Sequence, residues 1–277
     1  MPEADQPSGT IRLLGEQTEK AWPLFSPAAT PEEFYRRMTA GLPEGTNLIV
    51  VLNKDGTPKQ LGYGYADGNR AFDFVRKFDG AHVDHENAGV SASLQKEGIS
   101  KTVNGHLFRL YQEIGIEKIT MSAAFIGTYA WARVGFVPEQ DDWNKLRYQI
   151  GKRLDYLEQN PSPQEGPLPY KYVDALRGAL KSDDPKNFWF IVDQGYPYYG
   201  TSMGKLLTLD IEDLPEKIPR DKKAKIAFLS CSGWLGSLDM KDPDCVQRFE
   251  AYIYEGKSRN PSLRKKPASR MTTENRR

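Results

Sequence analysis

Residues 95–101, Gln95-Lys96-Glu97-Gly98-Ile99-Ser100-Lys101, carry the plainest chemical signal in the chain. A glycine-containing loop ahead of a helix presents unpaired backbone N–H groups at the positive end of the helix dipole, a ready cradle for a pyrophosphate. Gly98 permits close backbone approach, Ser100 adds a hydroxyl, and Lys96 and Lys101 add positive charge. Just upstream, His82, Asp84, His85 and Glu86 offer bases, with Glu86 or Asp84 the preferred ones. The competing reading is a polar loop whose charges face water. A metal site from His82, Asp84 and His85 is disfavoured, because zinc needs three or four convergent ligands. Cys231, between Ser230 and Ser232, reads as a nucleophile or, more simply, as a small buried hydrophobe. Tyr196, Tyr198 and Tyr199, with Trp189 and Trp234, would line an acceptor pocket or pack as core. His106 reads as a partly exposed helix residue.

These groups need elements to hold them. Thr30 and Pro31 begin a short helix over 31–38, with Glu32 and Glu33 complementing its dipole. Leu48–Leu52 and Gln60–Tyr65 are strands joined through Asp55-Gly56, a hairpin. Ala71–Phe78 is another strand, and Ala88–Leu94 alternates like one. Apolar positions 103, 107, 110, 111 and 114 make a helical stripe closed by Gly115. Strand character returns over 116–124, followed by a short helix over 128–134 and an exit through Gly135-Phe136. Beyond Pro138, helices are expected over 143–158, 173–180 and 243–254, the last capped by Asp242. A proline-rich linker is expected over 161–169. The runs 188–192, 205–209 and 224–229 read as strands or buried segments.

Composition bounds the class. The 277 residues are 39% hydrophobic and 11% aromatic, enough for a packed core and against wholesale disorder. Two cysteines exclude a disulfide scaffold. No apolar run reaches membrane-spanning length, and the first residues lack a signal-peptide pattern, so a cytoplasmic, reducing setting is expected. The formal charge of +1 hides an asymmetry. Residues 256–277 hold eight basic side chains against Glu274, a formal +7, leaving −6 for residues 1–255. This tail is expected to be disordered and either merely solubilising or a contact for nucleic acid or an acidic partner.

The order of these elements resembles the GNAT-type N-acyltransferases. Their coenzyme-A loop reads Gln/Arg-x-x-Gly-x-Gly/Ala, which Gln95–Ser100 fits except at Ser100. Glu113-Ile114-Gly115-Ile116 and the segment Tyr129–Phe136 match the family's later helix ends. The resemblance covers about residues 47–137. It implies a mixed α/β (α+β) fold with a mostly antiparallel sheet; our reading of the chain is a core of this type over about 20–146, an α/β extension over 147–255 that has no counterpart in the family core, and disordered ends at 1–19 and 256–277. It further implies acetyl-CoA or another acyl-CoA as co-substrate, with no metal. The pyrophosphate would lie on the amides of Lys96, Glu97, Gly98, Ile99, Ser100 and Lys101. The pantetheine would run beside Val90, Ser91, Leu94 and Gln95, where a splayed parallel strand pair leaves backbone groups unpaired, with Trp131 nearby. Transfer to an amine of a small molecule or protein would be direct. The family's tyrosine acid sits four residues before the Gly of Gly-Phe, where this chain has Trp131, so Tyr129 is the substitute. An indole N–H donates a hydrogen bond but is no acid near neutral pH. The alternative is a non-catalytic interaction module that keeps the fold.

Overall fold

The computed structural model describes residues 9–15, 18–26, 29–124, 127–209 and 233–254, leaving aside the side chain of Lys96. It is a mixed α/β structure whose strands pair mostly antiparallel. The chain divides into two compact units, 1–116 with 250–277, and 117–249.

The first unit is built on strands β1 (Ile11–Leu14), β2 (Asn47–Leu52), β3 (Pro58–Asp67), β4 (Arg70–Asp79) and β5 (His82–Val90) in that order. Only β1–β2 is parallel among these neighbours. β1 and the start of helix α1 (Thr18–Phe25) lie in the stretch expected to be disordered. Helix α2 (Pro31–Thr39) starts as its sequence predicts. Thr30 accepts from the Glu33 amide and Glu33 reaches back to Thr30, a reciprocal cap. Phe34 and Met38, one turn apart, are buried, and Phe34 meets Trp22 and Phe25 edge-on. At the β2–β3 turn Asp55 accepts from the Thr57 amide and hydroxyl.

One expectation fails here. His82–Glu86 is not a loop but the first half of β5, joined to β4 by a two-residue turn at Gly80-Ala81. Val83 and His85 point inward while His82, Asp84 and Glu86 stay exposed, so the strand's apolar signal is diluted to two positions. Residues 91–94, expected as strand, form a turn. Helix α3 (Ile99–Glu113) then covers the inner sheet face, with Val103, Leu107, Phe108 and Tyr111 buried. Gly115 follows it at φ 75°, the left-handed end anticipated for it. His106 is buried, not partly exposed, with Nε2 2.9 Å from the Ala40 carbonyl.

The second unit pairs β6 (Lys118–Ala123), β10 (Trp234–Asp239) and β7 (Val137–Pro138) antiparallel, with β10 central. Around them lie α4 (Gly127–Val134), α5 (Gln140–Gln159), α6 (Tyr170–Lys181), α7 (Asn187–Val192), the β8–β9 hairpin (Pro197–Tyr198, Thr201–Ser202) and α8 (Met203–Thr208). The runs at 188–192 and 205–209 are thus buried as expected but mostly helical rather than strands. The stretch over 161–169 is fastened. Ser162 bridges Gly166, and the Tyr198 hydroxyl accepts from the Ser162 amide and donates to the Gly166 carbonyl. Tyr198, Tyr199 and Trp234 are core residues.

The final helix, α9 (Pro243–Tyr254), begins where Asp242 accepts from the Asp244 amide. Gly135 sits at φ 120°, and a Cβ there would lie 3.0 Å from the Cys245 carbonyl oxygen of α9. Packing and backbone geometry therefore both require glycine at this point of the Gly-Phe pair. The segment 224–229, Cys231 and the basic tail lie outside the described residues.

Candidate functional site

The glycine loop takes the form its sequence suggested. After Val90, the Leu94 and Gln95 amides donate to Ser91 O, and Glu97 N donates to Leu94 O, forming a tight turn. Gly98 follows at φ 79° and is the N-cap of α3, with no side-chain cap on the helix. The first-turn amides of α3, at Ile99 and Ser100, thus have no intrahelical acceptor. Around the turn, the Gln95 side chain donates to the Val90 carbonyl, and Glu97 is held by Arg70 at 3.1 Å. Leu94 and Ile99 are buried. Lys101 lies 5.8 Å from the centre of the Tyr252 ring, and partial burial lowers its pKa.

Two hollows open beside this turn within the first unit. The smaller, about 450 Å³, is lined by residues 41–44, Tyr65, Asp67, Arg70, Glu97 and Ile99. The larger, about 800 Å³, is a trough lined along the outer sheet face by Asn47, Gly64, Asp73, Gly89 and Ser91. They share Glu44, Tyr65 and Asp67, so one continuous depression runs from the start of α3 onto the sheet. Asn47, Gly64, Asp73 and Gly89 are successive cross-strand partners, a single row across four strands. Gly64 has no positive φ, and a Cβ on it would meet nothing within 4 Å. Neither strain nor protein packing requires that glycine, and glycine weakens a strand interior; its missing side chain leaves the trough floor open to close approach from outside the sheet.

The trough is acidic. Glu44, Asp67 and Asp73 line it without a basic residue, and none of the three makes an ion pair among the described residues. Asp73 accepts from Asn87 Nδ2 at 2.6 Å, while Asp67 lies 3.4 Å from the Tyr65 hydroxyl. Sequence reasoning missed all three carboxylates. The available signal was Gly62 and Gly64 inside a run of otherwise strand-forming residues.

The anticipated bases occupy the same sheet face, farther along β5. Val75 faces Asn87 but Arg76 faces His85, so Glu86 is the extra residue of a β-bulge. Glu86 is exposed and paired with Lys77, and Asp84 is exposed opposite Lys77. Neither lines the trough.

His85 points the other way, into a buried polar cluster. Its Nε2 is 3.0 Å from the Tyr111 hydroxyl, and desolvation, reinforced by Arg76, holds its pKa well below the usual 6.5. Arg76 is fully buried and donates through Nη1 to the carbonyls of Val75 and Asn87, the latter at the bulge. Burial lowers its pKa, while the Tyr111 and Tyr63 hydroxyls and Asp84 oppose that shift. The same burial raises the pKa of Tyr63 and Tyr111. The cluster joins β3, β4, β5 and α3 on the inner face, and none of its four side chains lines the trough.

In the second unit, the Tyr129 hydroxyl accepts from Arg133 at 3.1 Å, and Lys205 sits 5.6 Å from its ring centre. Trp131 packs edge-on against buried Phe136, with ring centres 5.1 Å apart. Cys245 is buried, and desolvation pushes its thiol up to about 11. Among the described residues no group of three or more His, Cys, Asp or Glu is placed to hold a metal ion, and no helix is long and apolar enough to cross a membrane. Comparison with models of protein families, with curated proteins and with solved structures finds no match to this chain.

Proposed function

We propose that this protein binds an acyl-CoA thioester at the start of α3 and transfers the acyl group to an amine. One observation carries the reading: a left-handed Gly98 and an uncapped helix start open onto a depression that continues into an acidic trough. The first-turn amides supply donors for a pyrophosphate, as the resemblance to GNAT-type acyltransferases implies. Carboxylates along the trough would attract a cationic amine, and Asp73, which lines it, would take the ammonium group. Glu97 and Asp67 disfavour phosphate inside the smaller hollow itself, so the pyrophosphate belongs on the amides of Ile99 and Ser100. Direct attack forms the amide N–C bond as the thioester C–S bond breaks; the amine's proton passes to a carboxylate or water, and the sulfur leaves as the protonated thiol of coenzyme A.

A ligand at about 100 times its dissociation constant stabilises a protein by about 2.7 kcal/mol. Saturating acetyl-CoA or a longer acyl-CoA is therefore expected to raise the melting temperature, and Gly98→Asp to abolish that rise. No shift with any acyl-CoA would overturn the proposal. Trp131 and the Arg133-bound Tyr129 favour a second reading, a non-catalytic binding module. Binding without thiol release across a panel of amines would support it.

A further inference from the structure

Arg76 is a fully buried cation that makes no ion pair among the described residues. We infer that its guanidinium, together with the Tyr63 hydroxyl, holds a small monovalent anion, a halide such as chloride, inside the first unit.

Three observations converge on this site. The first is placement. Leu61, Arg76 and His85 are cross-strand partners across β3, β4 and β5, and Tyr63 lies two residues along β3 from Leu61, on the same face. Helix α3 closes over this face, with the Tyr111 hydroxyl 3.0 Å from His85 Nε2, and Arg76 Cζ lies 5.4 Å from the centre of the Phe74 ring. The second is charge. A guanidinium keeps its proton at neutral pH even though burial lowers its pKa. Burial raises the pKa of Tyr63 and Tyr111, so both stay neutral and neither serves as a phenolate counter-ion. Asp84 is exposed, and its field is the weakest of the influences that support the charged form. The third is a surplus of donors. Nη1 serves the Val75 and Asn87 carbonyls, whereas Nε, Nη2 and the Tyr63 hydroxyl have no hydrogen-bond partner among the described residues.

These donors specify the class of ligand. They need an acceptor and a negative charge; an anion supplies both, whereas water supplies the acceptor alone. One negative charge balances one guanidinium, while a phosphate or sulfate brings a second charge and more oxygens than Nε, Nη2 and the Tyr63 hydroxyl can satisfy. A halide is spherical and accepts from any direction, which suits donors arriving from two strands. An anion that binds the folded chain and not the unfolded one stabilises by mass action, so the cost of burying Arg76 depends on the salt present. The inference is independent of acyl transfer, and neither Arg76 nor Tyr63 lines the trough.

The test is urea unfolding of the full chain at constant ionic strength, in sodium chloride balanced by sodium gluconate, whose anion is too large for an enclosed site. Above the dissociation constant, each tenfold rise in chloride is expected to lower the unfolding equilibrium constant about tenfold. Tyr63→Phe keeps the buried charge but removes one donor, and is expected to need several-fold more chloride for the same gain. Arg76→Met is expected to lose the dependence, and Arg177→Gln, which removes a surface cation of the other unit, to keep it. In crystals grown with bromide, an anomalous peak is expected beside Arg76 Nε and Nη2. The inference is overturned if chloride and gluconate give equal stability, if Tyr63→Phe or Arg76→Met responds to chloride as the parent does, or if the position beside Arg76 scatters as water in bromide.

Discussion

The two faces of the sheet formed by β2 to β5 contrast sharply. The inner face carries Leu48, Val50, Leu61, Phe72, Phe74 and Val83 and is sealed, with even its polar members Arg76, His85 and Tyr63 buried beneath Tyr111 of α3. The outer face carries Asn47, Gly64, Asp73, Asn87 and Gly89, and much of it stands open to water. Adjacent residues on one strand thus serve opposite ends, since successive side chains leave a strand on opposite sides. The inner face supplies stability at some electrostatic cost. The outer face gives up stability, placing glycine where a larger residue would fit, and gains a charged, accessible surface.

The largest expected break of this contrast is Phe74→Ala. It removes a fully buried ring and should lower unfolding free energy by about 3–5 kcal/mol in urea titration. A loss below about 1 kcal/mol would mean that the inner face is not the core. Arg76 tests whether its buried charge is a burden. Arg76→Ala leaves a cavity and orphans the Asn87 carbonyl, for an expected loss of about 3 kcal/mol. Arg76→Met fills the space but orphans the same carbonyl, so its loss should be about 1–2 kcal/mol, smaller than that of the alanine variant by the cavity contribution. Equal losses in the two variants would assign the guanidinium a net stabilising role.

Acid should weaken the inner face next. The folded-state pKa of His85 is depressed, as is that of His106, so the unfolded chain binds more protons once pH falls below about 6.5. Stability is therefore complete above that pH and falls as pH drops below it, by at most about 1.4 kcal/mol per pH unit for each histidine. His85→Gln, measured at pH 7.5, 6.5 and 5.5, should flatten that slope, and an unchanged slope would remove His85 from the account. The smallest effect belongs to the outer face. Gly64→Ala has room for its methyl group and should stabilise the fold by about 0.5 kcal/mol while narrowing the trough. A loss of stability instead would show that something already packs against that glycine.

Local signals were legible wherever the chemistry was local. The Thr30–Glu33 cap, the Asp55-Gly56 turn, the stripe of α3 and its Gly115 stop depend on residues within a few positions of one another, and each appears where the sequence places it. β5 was illegible because its outward residues His82, Asp84 and Glu86 are all polar and only Val83 and His85 face inward. His106 and His85 gave no sign of burial, since the Ala40 carbonyl and the Tyr111 hydroxyl that receive them come from distant parts of the chain. The Gly-Phe pair at 135–136 has a packing explanation, the approach of α9, that no neighbouring residue announces.

The amino-acid order alone determined the start of α2, the end of α3, the first hairpin, the glycine before α3 and the division into an acidic body and a basic tail, because these follow from backbone propensity and charge count. Tertiary structure decided which face of the sheet is sealed and which stays open, and so that Asp73, rather than Glu86 or Asp84, lies on the trough floor. A carboxylate's neighbours are set by strand register, and a single bulge at Glu86 changes which residues share a row.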